Sequence, residues 1–472
     1  MSITRSFCNP AVRSWFAGLI LCTSFSLSPS ALRAQAATTT DPSWIEAFHS
    51  AVAQLSKTYP YTDLKAIDWT GLETRFTPLI QKAAQDGDAK AYYLAIREFA
   101  YSIPDRHLRI RPEHADYMAE SLGGYYGFDL ESTDDGRLVV SYVDSVARAN
   151  GIAVGDEVTS WNDRPSNVAL SQASVTWARN PPATVESRKY EQRRFLVRAP
   201  VGRTVTVGIR RAPGKSIRRF VLTSRADSMA SVTRTDWRPS VPDQIQAIDA
   251  RVLDGGIGYI RISSLTGLTS ETSRQIVTKV TTAVTQFKAS GVRGLIIDLR
   301  HNPGGSDEVA AKVASHFLPE RTLYTATSRR DTITNAFVLD RESLLYADGI
   351  QEKLVVPTIV LVGIGTKSAA EGLARALQSR RGVTVAGRTS TAGAFGEVGD
   401  DAIEFPGGIE LTVPYARGVD SQGRMVLEAD SMGIGGVRPT FKLPVTRATI
   451  VRESECRCDV DLETVRANLA KR

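Results

Sequence analysis

Two hydrophobic periods divide the chain. Over residues 43–113 apolar side chains recur every three or four positions: Trp44, Phe48, Val52 and Leu55 share one face, and Trp69, Leu72, Phe76 and Ile80 share another. That spacing predicts a small helical module. Between Gly123 and Ser224 the period shortens to strand-like alternation, as over residues 137–143 and 205–209, with turn residues between the runs, which predicts a β-rich domain. A polar stretch over residues 227–244 follows. Beyond it, apolar runs at 257–262, 294–299, 358–362 and 383–386 alternate with helical patterns near 270–290, 307–317 and 369–379. Strand and helix in turn predict a layered βαβ core. Residues 452–472 read as a polar terminal helix, and no internal repeat or low-complexity tract is visible.

Composition adds limits. At 472 residues and 42% hydrophobic content, two or three globular domains are expected. The first 36 residues carry Arg5, Arg13 and Arg33 and no acid, then an apolar run over 15–27, then Ala34-Gln35-Ala36, a small-x-small pattern that predicts a cleaved export signal and a periplasmic or extracellular protein. Cys22 follows Leu21, where a lipoprotein site wants a small residue. Removing those three arginines takes the net charge from +7 to about +4, too mild to imply nucleic acid. Beyond the signal, no run approaches the roughly twenty apolar residues that span a bilayer. Cys456 and Cys458 are expected to form a small disulfide or an incidental surface pair, because no second Cys or His cluster completes a metal site. No metal or cofactor is expected.

The chemistry concentrates in two stretches. GLIIDLRHNPGG, residues 294–305, is a buried-strand run ending in a glycine turn before a helix, which leaves backbone amides bare for an anion or a developing oxyanion. It lacks the Lys-Ser/Thr ending of a phosphate-binding loop. LVGIGTKSAAEGLARA, residues 361–376, sets Ser368 between a strand and a helix, where it is either a helix cap or an exposed nucleophile. A third stretch, Gly124-Tyr125-Tyr126-Gly127-Phe128, opens the β-rich segment with a glycine turn.

With its companions at 145–152 and 154–162, that third stretch resembles a PDZ domain. The resemblance implies free amides over Gly124–Phe128 that receive a peptide carboxyl terminus. DLRHNPGG, KSAAEGLARAL, VAGRTSTAGAFG and GGVRP resemble, in that order, the core motifs of the tail-specific or carboxyl-terminal processing peptidases and their tricorn-core relatives. The resemblance runs from about Ser43 to Val445 and implies an α+β multidomain protein: a helical module (43–114), a PDZ-like domain (115–226), a crotonase-like ββα peptidase core (227–445) and a polar tail (446–472). It implies that Ser368 is the nucleophile, with the amide of Ala369 and that of Gly304 or Gly305 as oxyanion hole. The lysine base of the processing branch belongs in the segment matching residues 393–396, which holds none here, and Lys367 adjoins the serine, where neighbouring side chains point apart. The tricorn-like branch takes its base from a Leu-x-Asp-x-His motif, which Asp105 and His107 match. His49 and His316 fall in predicted helices, His301 lies in the oxyanion loop, and His114 follows a proline-broken stretch. The orienting acid is expected to be Glu428, at an unusual spacing from Gly436-Val-Arg-Pro439, with Asp430 as rival. Arg106 stands where some relatives carry a further serine. The expected function is serine-type hydrolysis of peptide or protein substrates. The alternatives are a binder of peptides or apolar ligands that has lost turnover, and an esterase or amidase acting on small substrates.

Overall fold

The computed structural model describes residues 42–471, except 212–213, 236–246, 267–269, 332 and 349. The expected export signal lies outside the described residues. Three helices, Pro42–Thr58, Trp69–Asp86 and Ala89–Tyr101, open the described chain. Asp68 and Asp88 start the second and third by accepting the Gly71 and Ala91 N–H groups, both at 2.9 Å. Phe48, Leu55, Phe76, Ile80 and Phe99 face inward, and the same cluster takes in Ile403, Phe405, Ile409 and Leu411 from much later in the chain. The helices therefore share a core with the later sheet.

A six-stranded antiparallel sheet follows, ordered Phe128–Ser132, Leu138–Val143, Glu157–Trp161, Thr204–Arg210 and Ile217–Thr223, with Arg164–Pro165 paired to Glu157–Trp161. Alternate residues, among them Leu138, Val140, Val205, Val207 and Ile209, are buried in one cluster, as a half-covered sheet requires. Helix Val185–Leu196 adds Leu196 to this cluster and Phe195 to the cluster of the amino-terminal helices. The described part of the polar stretch folds back on this region: Asp227 pairs with Arg198, on the short strand Arg198–Ala199 outside this sheet, at 2.6 Å, and Arg234 of helix Ala230–Thr235 pairs with Asp129 of the sheet at 2.8 Å.

The layered core is a second six-stranded sheet. Ile248–Leu253 runs antiparallel to Ile257–Ile262, and Gly294–Asp298, Thr358–Leu361, Val383–Gly387 and Phe441–Lys442 continue in parallel. Helices Ser270–Ala289, Asp307–Ser315 and Ala369–Gln378 cover one face through Phe287, Val313 and Leu373. Val465 and Leu469 cover the other, over Ile296, Ile359 and Leu361. Burial on both faces is why these strands read as unbroken apolar runs. A five-stranded sheet that the sequence reading did not anticipate joins Thr322–Arg330, Phe337–Ala347, Gly396–Phe405, Ile409–Val419 and the short strand Arg109–Arg111.

The expected terminal helix is two helices, Arg447–Cys456 and Val460–Leu469. Arg457 turns left-handed at φ 51°, Cys456 and Cys458 are joined in a disulfide, and Asp459 caps the second helix by accepting the Leu462 N–H at 2.9 Å. An Asp at that position starts a helix more readily than it continues one.

Candidate active site

Gly294–Asp298 and Thr358–Leu361 are neighbouring parallel strands with Asp298 opposite Leu361, so the turns that follow them leave the sheet side by side. Three hydrogen bonds zip the turns together: Leu299 N–H to the Leu361 carbonyl at 2.8 Å, Thr366 Oγ1 to the Leu299 carbonyl at 2.7 Å, and Lys367 N–H to the Asn302 carbonyl at 3.0 Å. Asn302 braces the first turn from inside, donating to the Ile262 carbonyl and accepting the Gly304 N–H, both at 2.9 Å. Gly304 has φ 97°, and a Cβ there would sit 2.6 Å from the Lys367 carbonyl oxygen, 2.8 Å from Ser368 Cβ and 3.1 Å from Ala369 N. Only glycine lets the two turns approach this closely.

The Gly304 N–H is thus spent on Asn302. Two amides beside the serine remain unclaimed: that of Ala369, first in its helix and so without an intrahelical acceptor, and that of Gly305, which donates to no described residue. Ser368 has φ 56° and ψ −129°, a conformation that a residue with a Cβ rarely adopts. Its N–H goes to the Ala394 carbonyl and to Glu371 Oε2, both at 3.1 Å. Glu371 is buried and also accepts from Thr391 Oγ1 at 2.5 Å, Gly393 N–H at 2.9 Å and Ala394 N–H at 3.0 Å. Burial pushes its carboxyl up to about 7 in spite of those donors. Its part is to clamp the helix start to the 391–394 segment.

His107 reaches this place from the amino-terminal side. Arg106 Nη1 donates to the Ile364 carbonyl at 3.3 Å and Lys367 Nζ to the Arg106 carbonyl at 3.4 Å, so the residues beside the histidine and beside the serine are bonded to each other. Asp105 accepts the His107 backbone N–H at 2.7 Å and the Tyr59 hydroxyl at 2.6 Å, and its Oδ1 lies 3.9 Å from His107 Nδ1. Neither ring nitrogen of His107 has a hydrogen-bond partner among the described residues. Burial first, and then the Lys367 cation, push its pKa down to about 3. The imidazole is therefore neutral near pH 7, with a free lone pair.

Residues 256–443 match the family described as Peptidase family S41. The chain is 27% identical over 206 residues to the carboxy-terminal processing protease CtpA of Bacillus subtilis, covering 43% of this chain and 38% of that protein. It is 34% identical over 131 residues to the carboxyl-terminal-processing protease of Synechocystis, covering 28% of this chain and 27% of that one. Residues 256–443 thus carry an S41 peptidase domain, and the chain is similar in sequence to carboxyl-terminal processing proteases. The matched stretches span well under half the length of these two relatives. In fold, the chain is similar to mature CPAF, with a TM-score of 0.63, 14% identity, and coverage of 89% of this chain and 95% of that one.

The S41 domain places the acid differently from the sequence expectation. Glu428 is buried and bonded not to the imidazole but to the Phe395 N–H and to Lys65 Nζ, both at 2.8 Å. Lys65 also donates to the carbonyls of Pro104 at 3.0 Å and Ala429 at 2.9 Å. Burial pushes the Glu428 carboxyl up to about 7, the Lys65 cation pulling the other way. Asp430 accepts the N–H groups of Met432 and Ile434 at 2.9 and 3.0 Å and shapes a turn. Gly124–Phe128 is not an open loop. Gly124 and Tyr125 form the middle strand of a small three-stranded sheet, between Arg198–Ala199 and Arg225–Ala226, and the Tyr126 N–H donates to the Val197 carbonyl at 3.1 Å. Gly124 and Tyr125 are thus paired on both sides rather than open to a ligand.

A cleft of about 630 Å³ runs from the edge strand at Glu131–Thr133 and helix residues Val185, Lys189 and Arg193 to Arg300, His301 and the Val362–Gly365 turn ahead of Ser368. Sequence reasoning missed Lys65, Tyr59 and the bracing role of Asn302. A lone lysine and a lone tyrosine in a helical module carry no local signal of a tertiary bond to residues more than forty positions away. Among the described residues no group of three or more His, Cys, Asp or Glu side chains is arranged to hold a metal, and no helix is long and apolar enough to cross a membrane.

Proposed function

We propose that this chain is a serine peptidase acting through an acyl-enzyme on Ser368. His107 takes the hydroxyl proton as Ser368 Oγ bonds to the scissile carbonyl carbon. The oxyanion that forms is received by the N–H groups of Ala369 and Gly305, and the imidazolium returns the proton to the departing amine. Water then releases the acyl group by the same steps with His107 again as base. The observation that carries this reading is the strained Ser368, set against a glycine turn with spare amides and bonded through its neighbour to the segment of His107, whose buried ring nitrogens have no hydrogen-bond partner among the described residues.

Substrate enters along the cleft between the 128–132 edge strand and helix Val185–Leu196. The 115–226 segment acts as a PDZ-like peptide clasp whose edge strand, rather than its glycine turn, meets the chain. Residues 43–114 act as the module that delivers His107, and residues 227–445 as the peptidase core. The Cys456–Cys458 disulfide suits the oxidising compartment to which residues 1–36 would direct the protein.

In the test, purified Ser368→Ala is expected to retain the wild-type melting temperature and to lose peptide hydrolysis. Undiminished hydrolysis by that variant would overturn the assignment. One observation favours a second reading, a peptide binder without turnover: Glu428 is engaged by Lys65, which leaves the imidazole with no hydrogen-bonded acid. A fluorophosphonate separates the two readings, because only a competent Ser368 is labelled.

A further inference from the structure

Behind the Ser368 turn lies a polar contact with too few hydrogens for the obvious ionisation state. Tyr324 Oη, fully buried, lies 2.7 Å from the Ala369 carbonyl oxygen and 2.8 Å from Asp307 Oδ1. The phenol carries one hydrogen, and a carbonyl and a carboxylate are both acceptors only. If Asp307 is ionised, three oxygens share one hydrogen across two short contacts, and one of those contacts is repulsive. If Asp307 is a carboxylic acid, each contact has its own hydrogen.

The surroundings favour the acid form. Asp307 begins the helix that follows Gly304–Gly305, and burial pushes its carboxyl up to about 6 even with a phenol beside it. Glu397 faces it from the strand Gly396–Phe405 and adds a like charge. Helix Ala369–Gln378 presents Glu371 and Arg375 to Tyr324, and Arg375 is held by the Tyr324 backbone carbonyl at 3.4 Å. Gly372 makes room for the hydroxyl, since a Cβ there would sit 2.3 Å from Tyr324 Oη.

We propose that Asp307 is a positioning residue that works as the carboxylic acid, donating its proton to Tyr324 Oη so that the Tyr324 hydrogen is left for the Ala369 carbonyl. Asp307–Tyr324–Ala369 is then a hydrogen-bonded bridge between the helix that starts at Ala369, next to Ser368, and the helix that follows the Gly304–Gly305 turn. Its catalytic consequence rests on the serine peptidase reading: ionisation of Asp307 breaks one link and loosens Ala369 relative to Gly305.

The test compares wild type, Asp307→Asn, Asp307→Ala and Tyr324→Phe by thermal unfolding and by the rate of fluorophosphonate labelling of Ser368, both from pH 4 to 8.5. A carboxyl held above its unfolded value of about 3.9 adds stability below that value and loses it as pH rises toward the folded value of about 6. Wild type is therefore expected to lose melting temperature between about pH 4 and 6 relative to Asp307→Asn, whose amide supplies the same hydrogen at every pH. Labelling of wild type should fall as pH rises through about 6. Asp307→Asn should keep its rate, and Asp307→Ala and Tyr324→Phe should be slow throughout, by about tenfold for one lost positioning contact. The proposal is overturned if Asp307→Asn shows the wild-type pH dependence of melting, or if it labels as slowly as Asp307→Ala. Should no protein label at any pH while the melting difference appears, the proton assignment stands and the peptidase reading fails.

Discussion

Replacing Gly304 by alanine tests the heart of the site. The new Cβ would begin 2.6 Å from the Lys367 carbonyl oxygen and 2.8 Å from Ser368 Cβ, where ordinary contact starts near 3.4 Å. The obstacles are the backbone of the serine turn and the first carbon of the serine itself, not the far end of a flexible side chain, so the two turns must separate by about 0.8 Å. Displacements near 1 Å in a reacting geometry cost on the order of 10²-fold in rate, which is about 2.7 kcal/mol of activation free energy. The positive φ adds a further ~1–3 kcal/mol of backbone strain to the folded state. Gly407→Ala supplies the control, because Gly407 has φ 81° with nothing within 4 Å of its Cβ. Both variants should melt earlier than wild type, and only Gly304→Ala should lose kcat, by about a hundredfold. The readouts are steady-state peptide hydrolysis, fluorophosphonate labelling and thermal unfolding. A folded Gly304→Ala that hydrolyses peptide within twofold of wild type would refute the claim that the close approach of these turns sets the reacting geometry.

Lys65→Met leaves Glu428 buried without its cation, a loss of up to about 3–5 kcal/mol in the pH range where the carboxyl is ionised, read by chemical denaturation; the loss should shrink at pH 5, because burial already raises this carboxyl and removing Lys65 raises it further, and Glu428→Gln added to Lys65→Met should recover part of it. Equal losses at pH 5 and in that range would show that the pair is not the cause. His107, with a folded pKa of about 3 against 6.5 unfolded, binds its proton more readily in the unfolded chain, so its contribution is complete above about pH 6.5 and is lost as pH falls toward 3. His107→Phe should flatten melting temperature over that window, and an unchanged slope would contradict the burial argument. The same depression predicts that labelling of Ser368 in the wild-type protein shows no acidic limb centred near pH 6.5; a limb there would place the base elsewhere or in a wetter setting.

What the sequence made legible follows from how each element is buried. Gly294–Asp298 and Thr358–Leu361, fully buried between layers, read as apolar runs because both of their faces are covered. The five-stranded sheet escaped because its strands are half-exposed and broken by register shifts, at Leu323 to Thr327 and at Val398 to Ala402, which blur a period of two. Ser368 and the glycine turn stood out because a strand, a small-residue turn and a helix are contiguous in sequence. His107 was reached only through resemblance, since the bond that brings its loop to the serine turn spans 261 positions. Lys65 gave no sign: nothing local marks a lysine whose ammonium is buried against a glutamate 363 residues on.

On the proposed mechanism these long spans tie the amino-terminal helices to the site. Arg109–Arg111 pairs with Ile409–Val419, and Arg417 Nε donates to the Pro60 carbonyl at 2.6 Å. The Ser431 N–H donates to the Leu64 carbonyl at 3.0 Å, and Lys65 spans from Pro104 to Glu428 and Ala429. Together with the apolar cluster that joins Phe48 and Phe99 to Phe405 and Leu411, these contacts fix the helices and the core as one folding unit. The proposed base and its surroundings are thus held by the same packing that builds the fold. If His107 becomes an imidazolium during acylation, the nearest compensating charge is Asp105, already committed to the Tyr59 hydroxyl and the His107 backbone. Glu428 lies within the same network but is neutralised by Lys65. On the proposed mechanism Lys65 and Asp105 act on the imidazole with opposite signs, so Lys65→Met should change the rate of fluorophosphonate labelling of Ser368, and an unchanged rate would count against that coupling.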